Sequence, residues 1–456
     1  MRDLFFLALL PLMLFPMIKR PFIALGMWIW TAMFFPNAWL YGAASGLRYN
    51  LIFTGVAIFS YLLIPNKPKV RLGSIGLLVF LFFIWTTVST TLTVGFPEVA
   101  WEIWVRFFKV IALFLFVVLI MEKKLHVDFF AGCVVLSIGF YGSLEALKYI
   151  LSGGGHMIAG FAGHVLGDRN ELALAFLMTL PLCSYLLGEY GKASRLIAIG
   201  LIGVMGLLVA AVIGTQSRGG FIALLGLGGY LFLKSKRKVP LAIFIVLVGV
   251  ALSTIVSQDW VSRMDTIGEA SEDASFMGRV VAWKLSFIMA VQNPFFGGGF
   301  KSLETVMVWG RLSQDFLAYP FFYSGDVVPD PTFARAAHSV YFQVLGEHGF
   351  GGLLIYVSLL ITAFRQARQV GVLGKKHGAP AWIVNFAVTL QLCLFVFCVG
   401  GAALSFAYFE LIFAVFGMIV VMHFRILPAA LAAARAEKSA EPTPAAPKKI
   451  SPRMVG

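Results

Sequence analysis

Residues 195–220 read RLIAIGLIGVMGLLVAAVIGTQSRGG. A basic residue opens a run of about twenty apolar ones, the length that crosses a bilayer as a helix. The polar turn Thr215-Gln216-Ser217-Arg218 then leads into a second apolar run at 219–234. Working outward, comparable runs lie near 21–38, 50–65, 73–94, 105–121, 128–150 and 171–188 on one side and 239–256, 351–366, 381–401 and 404–424 on the other. The expected fold class is therefore an all-α polytopic membrane protein with about twelve transmembrane helices. The segment from Leu4 to Ile18, interrupted by Pro11 and Pro16, reads either as a partial, interfacial helix or as a further span.

Composition supports this. The 456 residues are 59% hydrophobic and 13% charged, with a mean hydropathy of +0.88. A net charge of +14 raises the question of nucleic acid, but Lys67/Lys69/Arg71, Lys123/Lys124, Lys192/Arg195, Lys234/Lys236/Arg237/Lys238 and Arg365/Arg368/Lys375/Lys376 fall in every second loop. That alternation is the signature of membrane orientation, so these loops are expected in the cytoplasm and no nucleic-acid partner is expected. Cys133, Cys183, Cys393 and Cys398 all lie within apolar runs without CxxC spacing, which indicates neither disulfides nor zinc.

The expected organisation is N-terminal transmembrane helices over 1–256, a periplasmic loop region over 257–349, C-terminal transmembrane helices over 350–426 and a disordered cytoplasmic tail over 427–456. The loop region holds Trp260, Trp283, Trp309, Tyr319, Phe321, Phe322 and Tyr323 and an excess of acid, which suits a folded region lying on the membrane. Short helices are expected at Gly278 to Val291 and Thr332 to His348.

Against the cytoplasmic clusters, Arg169, Arg218, Arg279 and His338 map to the opposite face, where basic residues need another reason to be present. Gly167-Asp168-Arg169-Asn170 opens a span; Asp168 or Asn170 can cap the helix while Arg169 reaches lipid headgroups, or Asp168 and Arg169 can bind substrate. In Thr215-Gln216-Ser217-Arg218-Gly219-Gly220, the glycines allow close backbone approach, Ser217 adds a donor, and Arg218 offers a planar fork for phosphate oxygens; a helix hairpin with a snorkelling arginine is the structural alternative. A helix from Gly278 puts Arg279, Trp283 and Phe287 on one face, suited to a sugar phosphate or to an ordinary amphipathic surface. A helix from Pro331 would place Arg335, His338 and Phe342 together, with the imidazole able to accept a hydroxyl proton near neutral pH. No HExxH, GxSxG, Walker pattern or Asp-x-Asp metal box is present, so neither metal nor cofactor is expected.

These four constellations, in this order, resemble the O-antigen ligase family of the Wzy-C superfamily, and residues 1 to about 150 resemble its exosortase-associated branch. The resemblance implies a GT-C-like glycosyltransferase of the bacterial inner membrane with its active site facing the periplasm, and a monomer is the expected state. It would move polysaccharide from undecaprenyl diphosphate to lipid A-core with inversion, without metal or nucleotide. Carried over, Arg218 and Arg279 hold the donor diphosphate with Arg169 in support, and His338 is the general base. Two departures stand out: Ser339 follows His338 where Asn is frequent in the family, and His348 adds a second titratable group. An O-antigen polymerase or a protein O-oligosaccharyltransferase would use the same donor. A transporter of anionic lipid would place charge at midspan, where this sequence has little beyond Glu145, Lys148 and Glu410.

Overall fold

The structure, a computed structural model, describes residues 2–234, 238–239, 242–243, 249, 274–319 and 328–440. Among these every regular element is helical. Helix is what a bilayer dictates, because an apolar medium offers backbone groups no partner outside their own segment. Eight helices are long and apolar enough to cross a membrane. They are α4 (Gly73–Thr91), α5 (Pro97–Ile120), α6 (Lys124–Leu151), α7 (Arg169–Tyr190), α8 (Arg195–Gly214), α12 (Val340–Lys376), α13 (Ala381–Ala403) and α14 (Glu410–Ala436). Two shorter apolar helices, α2 (Pro21–Phe34) and α3 (Tyr49–Leu62), and the 17-residue α9 (Arg218–Lys234) fill three more of the expected runs. The run expected at 239–256 lies outside the described residues except at scattered positions, as do Trp260, Phe321, Phe322 and Tyr323.

The N-terminal segment forms one helix, α1 (Arg2–Lys19), continuous through Pro11 and Pro16 and packed on α2 and α3. A single core runs through the bundle from Met17 to Leu427, while Leu77, Leu196 and Leu354 on the outer faces remain exposed, as lipid-facing side chains must. All four cysteines are free.

Two sequence expectations are revised. The tail was expected to lose order after Ile426, but the chain passes through a π turn at Met422–Ile426 into a helix at Leu427–Ala440. Residues 441–456 lie outside the description. The second helix expected in the loop region does not begin at Thr332: residues 333–339 are irregular and α12 starts at Val340. His338 has φ +48 there, which no right-handed helix accommodates.

The first loop-region helix is present as α10 (Ala274–Gln292), followed by α11 (Val306–Gln314). They enclose a separate small core of Leu285, Ile288, Met289, Trp309, Leu312 and Phe316. The Gly297-Gly298-Gly299 turn ties this unit to α12, where the Gly298 and Gly299 amides donate to Gly346 O at 2.9 Å and Glu347 O at 2.8 Å. Gly349, with φ 69 and ψ −172, breaks α12 at that point, and a Cβ there would lie 2.5 Å from Phe295 O.

Candidate functional site

The turns that carry the basic residues meet at one end of the bundle. Asp168 caps α7, its Oδ1 accepting from the Asn170 amide at 2.7 Å and from Asn170 Nδ2 at 2.8 Å. Capping is thus one role Asp168 performs. The amide oxygen of Asn170 then accepts from the Ser217 hydroxyl at 2.7 Å, and Ser217 Oγ accepts from the Gly220 amide at 3.0 Å, capping α9. This buried chain of hydrogen bonds ties the start of α9, where Arg218 is the first residue, to the start of α7, where Arg169 is the first residue.

The glycines permit the fit. A Cβ on Gly220 would lie 2.6 Å from Ala173 Cβ on α7, and one on Gly219 2.9 Å from Ala403 Cβ. Any larger residue would hold α9 away from its neighbours.

Arg279 enters from α10. Its guanidinium is held below its usual range first by burial, then by the positive charge of Arg218, with Asp168 opposing and Arg169 adding to the effect. Two further guanidiniums and one carboxylate therefore stand close enough to act on the charge of Arg279. Such a concentration of positive charge costs stability unless an anion enters it.

His338 faces the same region. Burial lowers its pKa, the proximity of Arg279 lowers it further, and Asp168 and Glu304 act in the opposite sense. Starting from an ordinary value near 6.5, the imidazole is neutral at pH 7 and able to take a proton. Its φ of +48 makes it one of four non-glycine residues with positive φ among those described, and Gln216 and Lys301 at this end are two of the others. Left-handed backbone of this kind costs of order 1–3 kcal/mol per residue and persists only where the surroundings hold it.

The remaining expected residues lie around this centre without all sharing the face predicted for them. Trp283 follows Arg279 by one helical turn, but its indole stacks on Phe342 at 5.2 Å and donates Nε1–H to Ala337 O at 2.8 Å. Arg335 lies over the Phe333 ring at 4.2 Å, and its Nη1 occupies the space a side chain on Gly278 would take. With residues 333–339 irregular, Arg335, His338 and Phe342 are not successive turns of one helix. His348 is fully buried, with Nδ1 2.9 Å from Ser89 Oγ and the rings of Phe82, Phe300 and Tyr408 around it. That enclosure leaves its ring no exposed surface.

Sequence reasoning passed over Ser405, Lys301, Glu304, Gln343 and Glu347. Ser405 Oγ accepts from the His338 amide at 2.8 Å, and Glu347 accepts from the Lys301 amide at 3.0 Å and from the Tyr408 hydroxyl at 2.5 Å. These residues line a cleft against Ala336 and Ala337, immediately beside His338. The one local signal was the Glu347-His348-Gly349 run at the end of the loop region; nothing near Ser405 in the chain points to His338.

A comparison with curated proteins finds no match. Two family models match the sequence. Residues 1–189 match a family of unknown function (DUF5935), which takes in Asp168 and Arg169. Residues 203–357 match the O-antigen ligase family, Wzy_C, and this stretch contains Ser217, Arg218, Arg279, Trp283, Arg335 and His338. Residues 203–357 of this membrane protein are thus a domain of the O-antigen ligase superfamily.

Proposed function

We propose that this chain is a glycosyltransferase that moves polysaccharide from undecaprenyl diphosphate to lipid A-core on the periplasmic side of the bacterial inner membrane. The observation that carries the reading is the convergence of charge from Arg218, Asp168 and Arg169 on the buried Arg279 guanidinium, with His338, its pKa lowered by burial and by Arg279, alongside. A hydroxyl of the acceptor sugar attacks the anomeric carbon of the donor, and its proton passes to the His338 imidazole. The bond from that carbon to the diphosphate breaks, and the leaving undecaprenyl diphosphate carries away the bonding electrons.

Negative charge grows on the diphosphate as this happens. Arg218 and Arg279 grip its oxygens as planar forks, and Arg169 adds charge from the edge of the group. The three arginines supply positive charge of the kind a divalent cation provides in other diphosphate chemistry, so the reaction proceeds without metal or nucleotide. A single displacement inverts the transferred centre. Trp283 and Arg335 shape the ground around His338, and Asp168 and Ser217 fix the two arginine-bearing helix starts.

The test is transfer by purified protein from undecaprenyl-diphosphate-linked glycan to rough lipopolysaccharide, followed by gel shift, in EDTA and without ATP. Shifted lipopolysaccharide with wild type and none with His338→Ala is the expected result. Longer lipid-linked chains or glycosylated protein in place of shifted lipopolysaccharide would replace the acceptor and make the chain a polymerase or a protein O-oligosaccharyltransferase. Absence of every product would overturn the reading.

A further inference from the structure

The Ala337–His338 peptide group is held at both ends by side chains distant in sequence. Trp283 Nε1–H donates to its carbonyl oxygen at 2.8 Å, and its N–H donates to Ser405 Oγ at 2.8 Å. A peptide plane gripped on both edges cannot rotate, and rotation of this plane is what would release His338 from φ +48. The two grips come from elements that are themselves braced. Trp283 sits on α10 with its ring stacked on Phe342. Ser405 lies in the connection between α13 and α14, which is tied to α12 where the Ala407 amide donates to Gln343 Oε1 at 3.2 Å and Tyr408 to Glu347 Oε2 at 2.5 Å.

We propose that Ser405 and Trp283 are positioning residues that hold the His338 imidazole against the arginine group. The inference rests on the reading of His338 as general base, and it draws Ser405 into the site from outside the matched domain at 203–357. It also gives Trp283 a different task from the sugar platform that its spacing from Arg279 suggested. With the plane fixed, the ring stays close to Arg279 on α10, Asp168 at the start of α7, and Glu304 and Arg335 on the flanking loops. α12 contributes Glu347, which bonds Tyr408 of the connection that carries Ser405, and Tyr341, whose hydroxyl donates to Cys398 O at 3.0 Å. Loss of either grip lets the peptide relax toward right-handed backbone, moving the ring away from Arg279 and into water.

Three substitutions test this. Ser405→Ala removes the acceptor, Ser405→Thr keeps it, and Trp283→Phe keeps the stack on Phe342 but removes the donor. Transfer by Ser405→Ala and Trp283→Phe should fall in kcat by about 10²-fold, the scale of an ångström's misplacement of a reacting group, with donor KM unchanged. The acid limb of the pH profile should move up toward the ordinary histidine value, and Ser405→Thr should restore both. Wild-type kcat and pH limb in Ser405→Ala would overturn the proposal, as would failure of a folded Ser405→Thr to restore them.

A second measurement does not need the transfer reaction. Diethyl pyrocarbonate modifies neutral imidazole, so the pH midpoint of His338 modification, read by mass spectrometry, reports the ring's surroundings directly. A midpoint raised in Ser405→Ala and Trp283→Phe but not in Ser405→Thr supports the positioning role. An identical midpoint in all four proteins sinks it, even if the wild type proves to transfer nothing and the general-base reading falls on its own.

Discussion

Ser217 and Asn170 lie 47 residues apart and share a buried hydrogen bond of 2.7 Å that locks the start of α9 to the start of α7. Arg218 and Arg169 are the neighbours of these two residues in sequence, so the bond fixes the two backbone positions from which these arginines extend without touching either side chain. Replacing Ser217 by Ala leaves the Asn170 oxygen and the Gly220 amide without this partner. A loss of about 1–3 kcal/mol follows from a buried group left unmade. Thermal unfolding in detergent should show the loss, and transfer should fall with it. Asn170→Ala should cost a similar amount, since it loses the same bond and its own to Asp168 Oδ1, and the double variant should cost less than the sum, because the Ser217–Asn170 bond is broken by both single changes.

Gly220→Ala tests the approach of α9 to α7. The added methyl would sit 2.6 Å from Ala173 Cβ, backbone-anchored and unable to swing aside. Overpacking of this kind costs about 1–3 kcal/mol. The midpoint of thermal unfolding should drop, and Ala173→Gly in the same chain should recover part of it. Gly228→Ala on the same helix meets nothing within 4 Å and should leave the midpoint unchanged.

Arg218→Ala and Arg279→Ala should each lower transfer by about 10²-fold to 10³-fold, the usual effect of removing one donor to a developing anion. Lysine in either place keeps the charge and loses the planar fork, so it should recover only part of the rate. Membrane expression should be normal in all four variants, since neither guanidinium fills the core. EDTA should leave the wild-type rate intact, and inhibition reversed by Mg²⁺ would remove the arginines from their assigned task.

Much of this architecture was legible in the sequence, and what was not has a common physical cause. Runs such as 195–214 and 381–401 became helices of nearly those bounds, because a bilayer leaves the backbone no alternative. The turn at Thr215–Gly220 was legible for a local reason too, since a short polar break with two glycines between apolar runs permits little but a tight hairpin. The stretch before His338 was not. Its residues suit a helix, yet φ at His338 is set by a hydroxyl 67 residues later in the chain and by an indole on another helix. Nor does spacing show that Trp283 turns its N–H toward Ala337, or that Asn170 reaches Ser217. Periodicity reports which face of an element is apolar, whereas the site consists of hydrogen bonds between elements, which leave no periodic trace.

A general base must be unprotonated, so transfer should fall on the acid side as His338 takes up its proton. Burial and then Arg279 hold its pKa below the ordinary 6.5, which puts the acid limb of the wild-type profile below that value. Arg279→Gln removes the neighbouring positive charge while keeping a polar side chain, so the folded-state pKa of His338 should rise and the limb should move to higher pH. Arg335→Gln should move it the same way by less, because Arg335 is the weaker of the two positive influences. The stability effect has its own sign. A folded pKa below the unfolded one means that the unfolded chain binds the proton more readily, so this histidine's contribution is intact above about 6.5 and declines as the pH falls below it. Thermal midpoints of wild type and His338→Gln between pH 5 and pH 8 should therefore converge toward the acid end, and a wild-type advantage that grows with acid would show that His338 gains, rather than loses, by protonation in the fold.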